Sequence, residues 1–598
     1  MKEIVVAQQV IKILENYGIE QAFTVTGGAA MHLNKFLGDS KKINVTYMHH
    51  EQSCAIAAEG YARLKNKPAL VVVTAGPGVI NSLNGVFGAF TDSVPMIVIA
   101  GQSRLNTLKS NYQLNELRQL GDQEIDSIQL VSKITKWQKR LVEPEKTEQL
   151  VTEAFSASIQ NRPGPSWLEI PVDIQGTKIK NKKIKYEKIA RITKNNLIEE
   201  NQINEVHLKL ANSKRPLILA GSGVRLENQI ELLQKFSKKY QIPISTAWTH
   251  DLIESSNFLF AGRPGTIGTR AGNFVLQNCD LLIILGSRLN IRQIGYNHSE
   301  FAKDAFKIWV DIDRNELMKP FPITEMKIES SIKEFLDKLD NKLKLKKYKY
   351  DSRKWLKWIN KIKIDYAIEK ETFVEEKNRI NSYKLIPEVI NNSDINSIIV
   401  CGNATACIVP FQTAELKKNQ RIFSNSGSAS MGYDLPAAIG ASLADKKKQI
   451  ICFAGDGSLM MNLQELQTLK YLNLNIKLFI LENNGYLSIK QTQKSFFNKK
   501  YGSDKNSFLT FPNFEMIAKS FKLKTKLLNK KIWKSQIKNL LATKGPVVIV
   551  APICITQEFT PRLKSKMTKS GIISPPLDDM YPNISEQELN EVRKSAKR

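Results

Sequence analysis

Cysteine is scarce in this chain of 598 residues: Cys54, Cys279, Cys401, Cys407, Cys452 and Cys554 are scattered, mostly in apolar or small-residue company. They have neither the CxxC spacing of a metal or redox site nor the density of a disulfide framework, so a reducing cytosol is the expected compartment. No apolar run approaches membrane-spanning length, and no membrane partner is expected. The N-terminus, Met1-Lys-Glu-Ile-Val-Val-Ala-Gln-Gln-Val10, reads as an amphipathic helix start and lacks the cleavage site of a signal peptide. Acidic residues are too few to balance the basic ones, 58 against 87, which leaves a net charge of +29. No RNA-binding aromatic signature or zinc pattern accompanies that excess, and the lysines are dispersed, with short local runs at 180–185 and 342–347. The charge reads as solvated basic surface, and no nucleic-acid partner is expected.

The chain is too long for one hydrophobic core. Three α/β blocks are separated by two basic, glycine-poor stretches. Residues 1–177 alternate helix and strand, with buried parallel strands at 43–47, 69–73 and 96–100. A linker is expected at 178–195. The second block, 196–340, has strands at 216–220, 281–285 and 308–312, and a charged connection, helical around Trp355 and Trp358, follows at 342–378. The third block is 380–555, and a tail rich in proline and charge occupies 556–598. The expected fold is α/β, with three doubly wound parallel sheets.

The third block carries the most informative pattern. A strand-like run, Gln449-Ile-Ile-Cys-Phe-Ala-Gly455, opens into Asp456-Gly457-Ser458, and a second apolar run at 476–480 ends in Asn483-Asn484-Gly485, with Asp456 and Asn483 27 positions apart. Leu459, Leu463, Leu466 and Leu469 recur between them at helical spacing, so the segment reads strand, glycine turn, helix, strand. A right-handed crossover of that kind brings both strand ends to one edge of a parallel sheet. A carboxylate and an amide oxygen then meet where a diphosphate can sit, and hard oxygen ligands suit Mg²⁺. In the first block, His49-His50-Glu51-Gln52 follows a strand and precedes a helix expected from Ser53 to Leu64. Taken alone, a glutamate there is an ordinary solvated cap.

Together with Gly76-Pro77-Gly78-Val79-Ile80-Asn81 and Thr26-Gly27-Gly28, these motifs occur in the order found in the acetolactate synthase group of thiamine diphosphate (ThDP) enzymes, which the chain resembles over roughly residues 1–570. The resemblance implies that Glu51 hydrogen-bonds N1′ of the cofactor's aminopyrimidine, so that the cofactor's own 4′-nitrogen acts as base. It implies that Asn81 lines the pyrimidine side and that Met431, in Ala429-Ser430-Met431-Gly432-Tyr433, props the cofactor in its bent shape. Asp456 and Asn483 match the side-chain metal ligands, with the backbone carbonyl of Gly485 as the third. Asn403 and Thr405, Ser430, and Gly455, Gly457 and Ser458 match the loops around the diphosphate. In similar enzymes the blocks holding Glu51 and Asp456 face each other across a subunit interface, so a homodimer or homotetramer is implied.

The second block resembles the FAD-binding domain of that family. Gly221 and Gly223 end a strand in small residues that let a backbone approach a pyrophosphate. Arg288, Arg292, Asp311 and Arg162 fall at the positions where similar proteins hold FAD, which undergoes no redox cycle there. The implied reaction is decarboxylation of a 2-oxo acid, most simply pyruvate, and addition of the two-carbon unit to a second carbonyl. Gln123, in Gly121-Asp122-Gln123-Glu124, matches a glutamine that orients the acceptor. Two positions and one loop depart from the biosynthetic acetolactate synthases: Thr492 replaces a tryptophan, Val172 replaces a lysine, and Gly402-Asn403-Ala404-Thr405 replaces a Gly-Gln-His-Gln loop. The segment Ser574-Pro575-Pro576-Leu577-Asp578-Asp579-Met580-Tyr581-Pro582 resembles ThDP carboligases associated with surface-polysaccharide synthesis. The expected activity is an acetolactate-synthase-type carboligase. The alternatives are two-carbon transfer to a nucleotide-linked keto sugar and a 2-oxo acid decarboxylase.

Overall fold

Three parallel sheets organise the chain. The computed structural model describes residues 3–114, 116–180, 198–247, 250–568 and 571–597. The first sheet runs in the order Asn44–Tyr47, Gln21–Thr24, Ala69–Val73, Met96–Gln102, Pro165–Pro171, Trp137–Arg140, every neighbour parallel. The third runs Arg421–Phe423, Ile398–Cys401, Ile450–Gly455, Ile476–Glu482, Val547–Pro552, Lys524–Leu527, again all parallel. Numbered along the chain, both sheets share the order 2-1-3-4-6-5. The second sheet has five parallel strands, Ile244–Thr246, Pro216–Ala220, Leu281–Leu285, Phe306–Asp311 and Met326–Glu329. Its central strands, and those of the outer sheets, are continuous runs of buried apolar residues, as strands covered by helices on both faces must be. The α/β class with three parallel sheets agrees with the sequence expectation.

Several segments differ from it. A short strand, Glu3–Val5, precedes the first helix, Val6–Asn16, and pairs antiparallel with Lys178–Lys180. The start of the expected linker is therefore a strand, and its remainder, 181–195, lies outside the described residues. The charged connection holds a helix, Arg353–Asp365, that belongs to the core of the second sheet: Trp355 and Trp358 are buried, stacked 5.0 Å apart, and Trp355 Nε1 donates to Pro216 O at 3.0 Å. The C-terminal segment packs there too. Asn273 Nδ2 donates to Leu577 O at 2.8 Å, and the helix Glu586–Lys597 puts Val592 and Ala596 into the same cluster. Local periodicity pointed to charge and proline in these segments, whereas their sparse apolar residues find partners only in the tertiary fold.

The helix Glu51–Lys65 follows the edge strand of the first sheet, and the helix Asp434–Ala444 follows the edge strand of the third. These two helices, in the same place in the two sheets, cross at Gly60 and Gly440. A Cβ on Gly60 would run into the carbonyl oxygen of Ala437, and one on Gly440 into that of Ala57. The close approach buries Ala57, Ala58, Tyr61, Leu435, Ala438 and Ala441 in a cluster common to both sheets. Ser53 Oγ also donates to Asn462 Oδ1 at 2.8 Å, and His49 N donates to the buried carboxylate of Glu465 at 3.2 Å. All six cysteines are free thiols. Among the described residues no helix is long and apolar enough to cross a membrane.

Gly440→Ala should cost about 3 kcal/mol or more, because the obstacle is a helix backbone and not a flexible side chain. Chemical denaturation measures this, and a loss below about 1 kcal/mol would refute the constraint.

Candidate active site

The crossover read from the sequence forms. Ile450–Gly455 pairs with Ile476–Glu482 in a register that sets Gly455 opposite Leu481, so Asp456 and Asn483 emerge side by side. Asp456 is 2% exposed; its Oδ1 accepts from Gly457 N at 2.8 Å and its Oδ2 from Asn483 N at 3.0 Å and Gly485 N at 3.3 Å. Burial nevertheless raises its pKa to about 6, more than the backbone amides lower it. Asn483 Oδ1 is buried without a hydrogen-bond partner, and so is Thr405 Oγ1. Such orphan oxygens are costly unless a ligand meets them. A carboxylate beside an unpaired amide oxygen suits a hard divalent cation, and a free hydroxyl suits a phosphate. Among the described residues no cluster of three or more His, Cys, Asp and Glu could hold a metal ion, so any site here relies on Asp456, an amide and main-chain carbonyls.

The crevice is the topological switch point of the third sheet, between Ile398–Cys401 and Ile450–Gly455, where open α/β sheets bind ligands. Gly402-Asn403-Ala404-Thr405 leaves the first of these strands. Ser458 Oγ donates to Asn403 Oδ1 at 3.2 Å, and Asn403 Nδ2 donates to Ala429 O at 2.6 Å. Gly432 N donates to Ser458 Oγ at 2.9 Å and Asn462 Nδ2 to Gly432 O at 2.7 Å, so the turn carrying Met431 is tied to both loops. Ser430 Oγ donates to Asn84 Oδ1 of the first block at 2.6 Å. The sequence reading passed over Asp434: it is fully buried, has one carboxylate oxygen without a partner, and stands where a Gly402 side chain would point, 2.7 Å from that glycine's ideal Cβ. A buried carboxyl beside a glycine turn leaves no periodic signal.

In the first block Glu51 is the first residue of its helix, two residues earlier than expected, because His50 Nδ1 caps it by accepting from Gln52 N at 3.1 Å. Glu51 is 8% exposed, and Asn81 Nδ2 donates to its Oε2 at 3.0 Å. The turn before the helix Pro77–Thr91 packs against it: an ideal Cβ on Gly78 would lie 3.4 Å from Glu51 Oε1. Gly76 has φ 59° and ψ −114°, which only glycine adopts freely, and its Cβ position lies 2.8 Å from Gln123 O. Gly27 packs on Thr74 beside the same turn. The fold thus gathers Glu51, Asn81 and Gln123. Among the described residues no hydrogen bond or ion pair links Glu51 to Asp456 or Asn483.

The second-block candidates line three adjoining cavities. Arg162, Gly223, Arg288 and Asp311 line one. It shares Ser222 and Arg288 with a second, which reaches Gly221 and Asp92. That one shares Ala247 with a third, walled by Arg292, Gly265 and Phe411. Together they form an elongated trough between the second sheet and its neighbours. Arg162 Nη1 donates to Asp313 and Glu316, both at 2.7 Å, and Arg288 Nη2 to Asp92 at 3.4 Å. Burial raises the Asp311 carboxyl to about 7.

Comparison with known proteins accords with this layout. Residues 4–129 match the thiamine pyrophosphate enzyme N-terminal TPP binding domain, 203–339 the central domain and 402–551 the C-terminal TPP binding domain. The acetolactate synthase large subunit of Lactococcus lactis is 30% identical over 570 residues, covering 95% of this chain and 96% of that one. The chain belongs to the acetolactate synthase family of ThDP enzymes. Isozyme 1 of the Escherichia coli large subunit is 28% identical over 93% of this chain and 95% of its own length, and the chloroplastic enzyme of Arabidopsis thaliana 28% over 95% and 84%. The protein is an enzyme of the ThDP type, and these relatives favour the acetolactate-synthase-type carboligase over the two alternatives raised by the sequence.

Two predictions follow from the local chemistry. Ala404, at φ 45° and ψ −119°, holds a backbone conformation that strains any side chain, so Ala404→Gly should raise stability by about 1 kcal/mol; a lower melting temperature would contradict it. Asp311 keeps its proton in the fold well above the ordinary value of 3.8. The cofactor-free protein should therefore lose stability as pH rises from about 4 to about 7, because the folded state binds the extra proton across that window. Asp311→Asn should flatten this part of the pH profile, which pH-dependent denaturation reads directly.

Proposed function

We propose that the chain decarboxylates pyruvate and joins the two-carbon unit to a second 2-oxo acid, giving acetolactate, with Mg²⁺ holding the ThDP diphosphate. The observation that carries this reading is the pairing of Asp456 with an unpartnered Asn483 oxygen at the switch point of the third sheet. Bound ThDP supplies the electron sink for decarboxylation. Asp456, Asn483 and the carbonyl of Gly485 are the metal ligands. Thr405, Asn403, Ser430, Ser458, Gly455 and Gly457 form the walls around the diphosphate, and Met431 projects from a turn braced by Ser458 and Asn462. Glu51, oriented by Asn81, would hydrogen-bond the pyrimidine nitrogen of bound ThDP and so favour the tautomer that serves as base. Gln123 orients the acceptor.

The site is proposed to be completed by a second copy of the chain, because in similar enzymes the blocks that hold Glu51 and Asp456 face each other across a subunit interface. A homodimer is the smallest assembly that satisfies this, and a homotetramer is a pair of such dimers. The trough runs from Asp311 and Gly223 in its first cavity past Gly221 in its second to Arg292 in its third, and FAD is its proposed occupant in a non-redox role.

Incubation of the purified protein with labelled pyruvate, ThDP and Mg²⁺ should give labelled acetolactate and one CO₂ per molecule formed; label confined to another added carbonyl compound would overturn the acceptor assignment. Glu51→Gln should lower turnover by about 10²-fold or more while ThDP still binds in calorimetry. Full activity in that variant would remove Glu51 from its role.

A further inference from the structure

Gln123 stands in a loop whose geometry depends on its neighbour. Glu124 Oε1 accepts from Lys109 N at 2.8 Å, and its Oε2 accepts from Leu120 N at 3.1 Å and Gly121 N at 3.0 Å. One carboxylate thus gathers three main-chain donors from both ends of the excursion between Lys109 and Gly121. Its own backbone closes the turn, with Glu124 N donating to Gly121 O at 3.1 Å and Gln119 Nε2 donating to Glu124 O at 3.2 Å. Ser103 Oγ, at the end of the strand Met96–Gln102, clamps Asp122 O. Between these anchors Gln123 is held at φ 57°, left-handed, with its carbonyl against Gly76. A non-glycine residue keeps that conformation only where its surroundings impose it.

We propose that Glu124 is a positioning residue for carbon–carbon bond formation, fixing Gln123 beside the Gly76–Gly78 turn that carries Glu51's surroundings. This rests on the assignment of Gln123 to the acceptor. Pyruvate loses CO₂, and the remaining two-carbon unit then has two fates. It bonds to the keto carbon of a second 2-oxo acid, whose carbonyl oxygen takes up one proton, or it takes up the proton itself and leaves as acetaldehyde. A loosened Gln123 leaves the acceptor poorly held, while the loss of CO₂, which needs no acceptor, continues. Charge-assisted bonds to main-chain amides are among the stronger contacts available to a surface loop, so removing the carboxylate frees both ends of the loop at once.

The test compares Glu124→Ala, Glu124→Gln and Gln123→Ala in the ThDP- and Mg²⁺-loaded enzyme. Glu124→Ala should raise the ratio of acetaldehyde to acetolactate about tenfold, with CO₂ release changed less than about twofold, because misplacement acts on the bimolecular step alone. Glu124→Gln keeps one accepting oxygen and should raise it about threefold; it carries the test if the alanine variant does not fold. Hydrogen exchange of the amides at 109, 120 and 121 should quicken in both. A wild-type product ratio in the Glu124 variants, with Gln123→Ala shifted, overturns the proposal alone. An unshifted ratio in Gln123→Ala overturns the acceptor assignment beneath it.

Discussion

The crossing of the helices Glu51–Lys65 and Asp434–Ala444 is the constraint on which the rest of the molecule depends. Two backbones approach closely enough that Gly60 and Gly440 each face a carbonyl of the other helix, and the first and third sheets share one core as a result. One helix begins at Glu51, and the other follows the turn that carries Met431. Their crossing sets the orientation of the turn at Glu51 relative to the turn at Met431 in the same chain. Dispersion and apolar burial hold the pair together, and the small residues Ala57, Ala437 and Ala441 allow the approach.

Charge is concentrated at the edge of that contact. Arg63 is bound by Glu59 and by Asp92, which also meets Arg288 and accepts from Gly427 N at 3.1 Å. Asp251, held at about 2, lies between Arg225 and Arg421. These pairs join the first, second and third sheets around the trough. Buried pairs of this kind specify an arrangement more than they stabilise it.

Much of the site was legible because its geometry is local. The interval between Asp456 and Asn483 encodes one crossover, and parallel register turns that interval into adjacency. Glu51 and Asn81 were named from their motifs, and the fold joins them in a hydrogen bond. What escaped the sequence is long-range. Trp355 looked like part of a connector, yet its indole donates to Pro216, and Leu577 and Val592 looked like tail residues but complete an apolar cluster. Asp434 and Glu124 escaped for another reason: a lone carboxylate has no period, and only three-dimensional contacts reveal that one is buried against a glycine and the other collects three amides.

The common strand order of the first and third sheets has an evolutionary consequence. The two crossing helices occupy equivalent places in those sheets, and the contacts are reciprocal: Gly60 is limited by the carbonyl of Ala437 and Gly440 by that of Ala57. Neither position can drift to a larger residue unless the opposite helix yields. Two segments far apart in the chain are thereby bound into a single unit of inheritance, and substitutions around one glycine should be read together with those around the other.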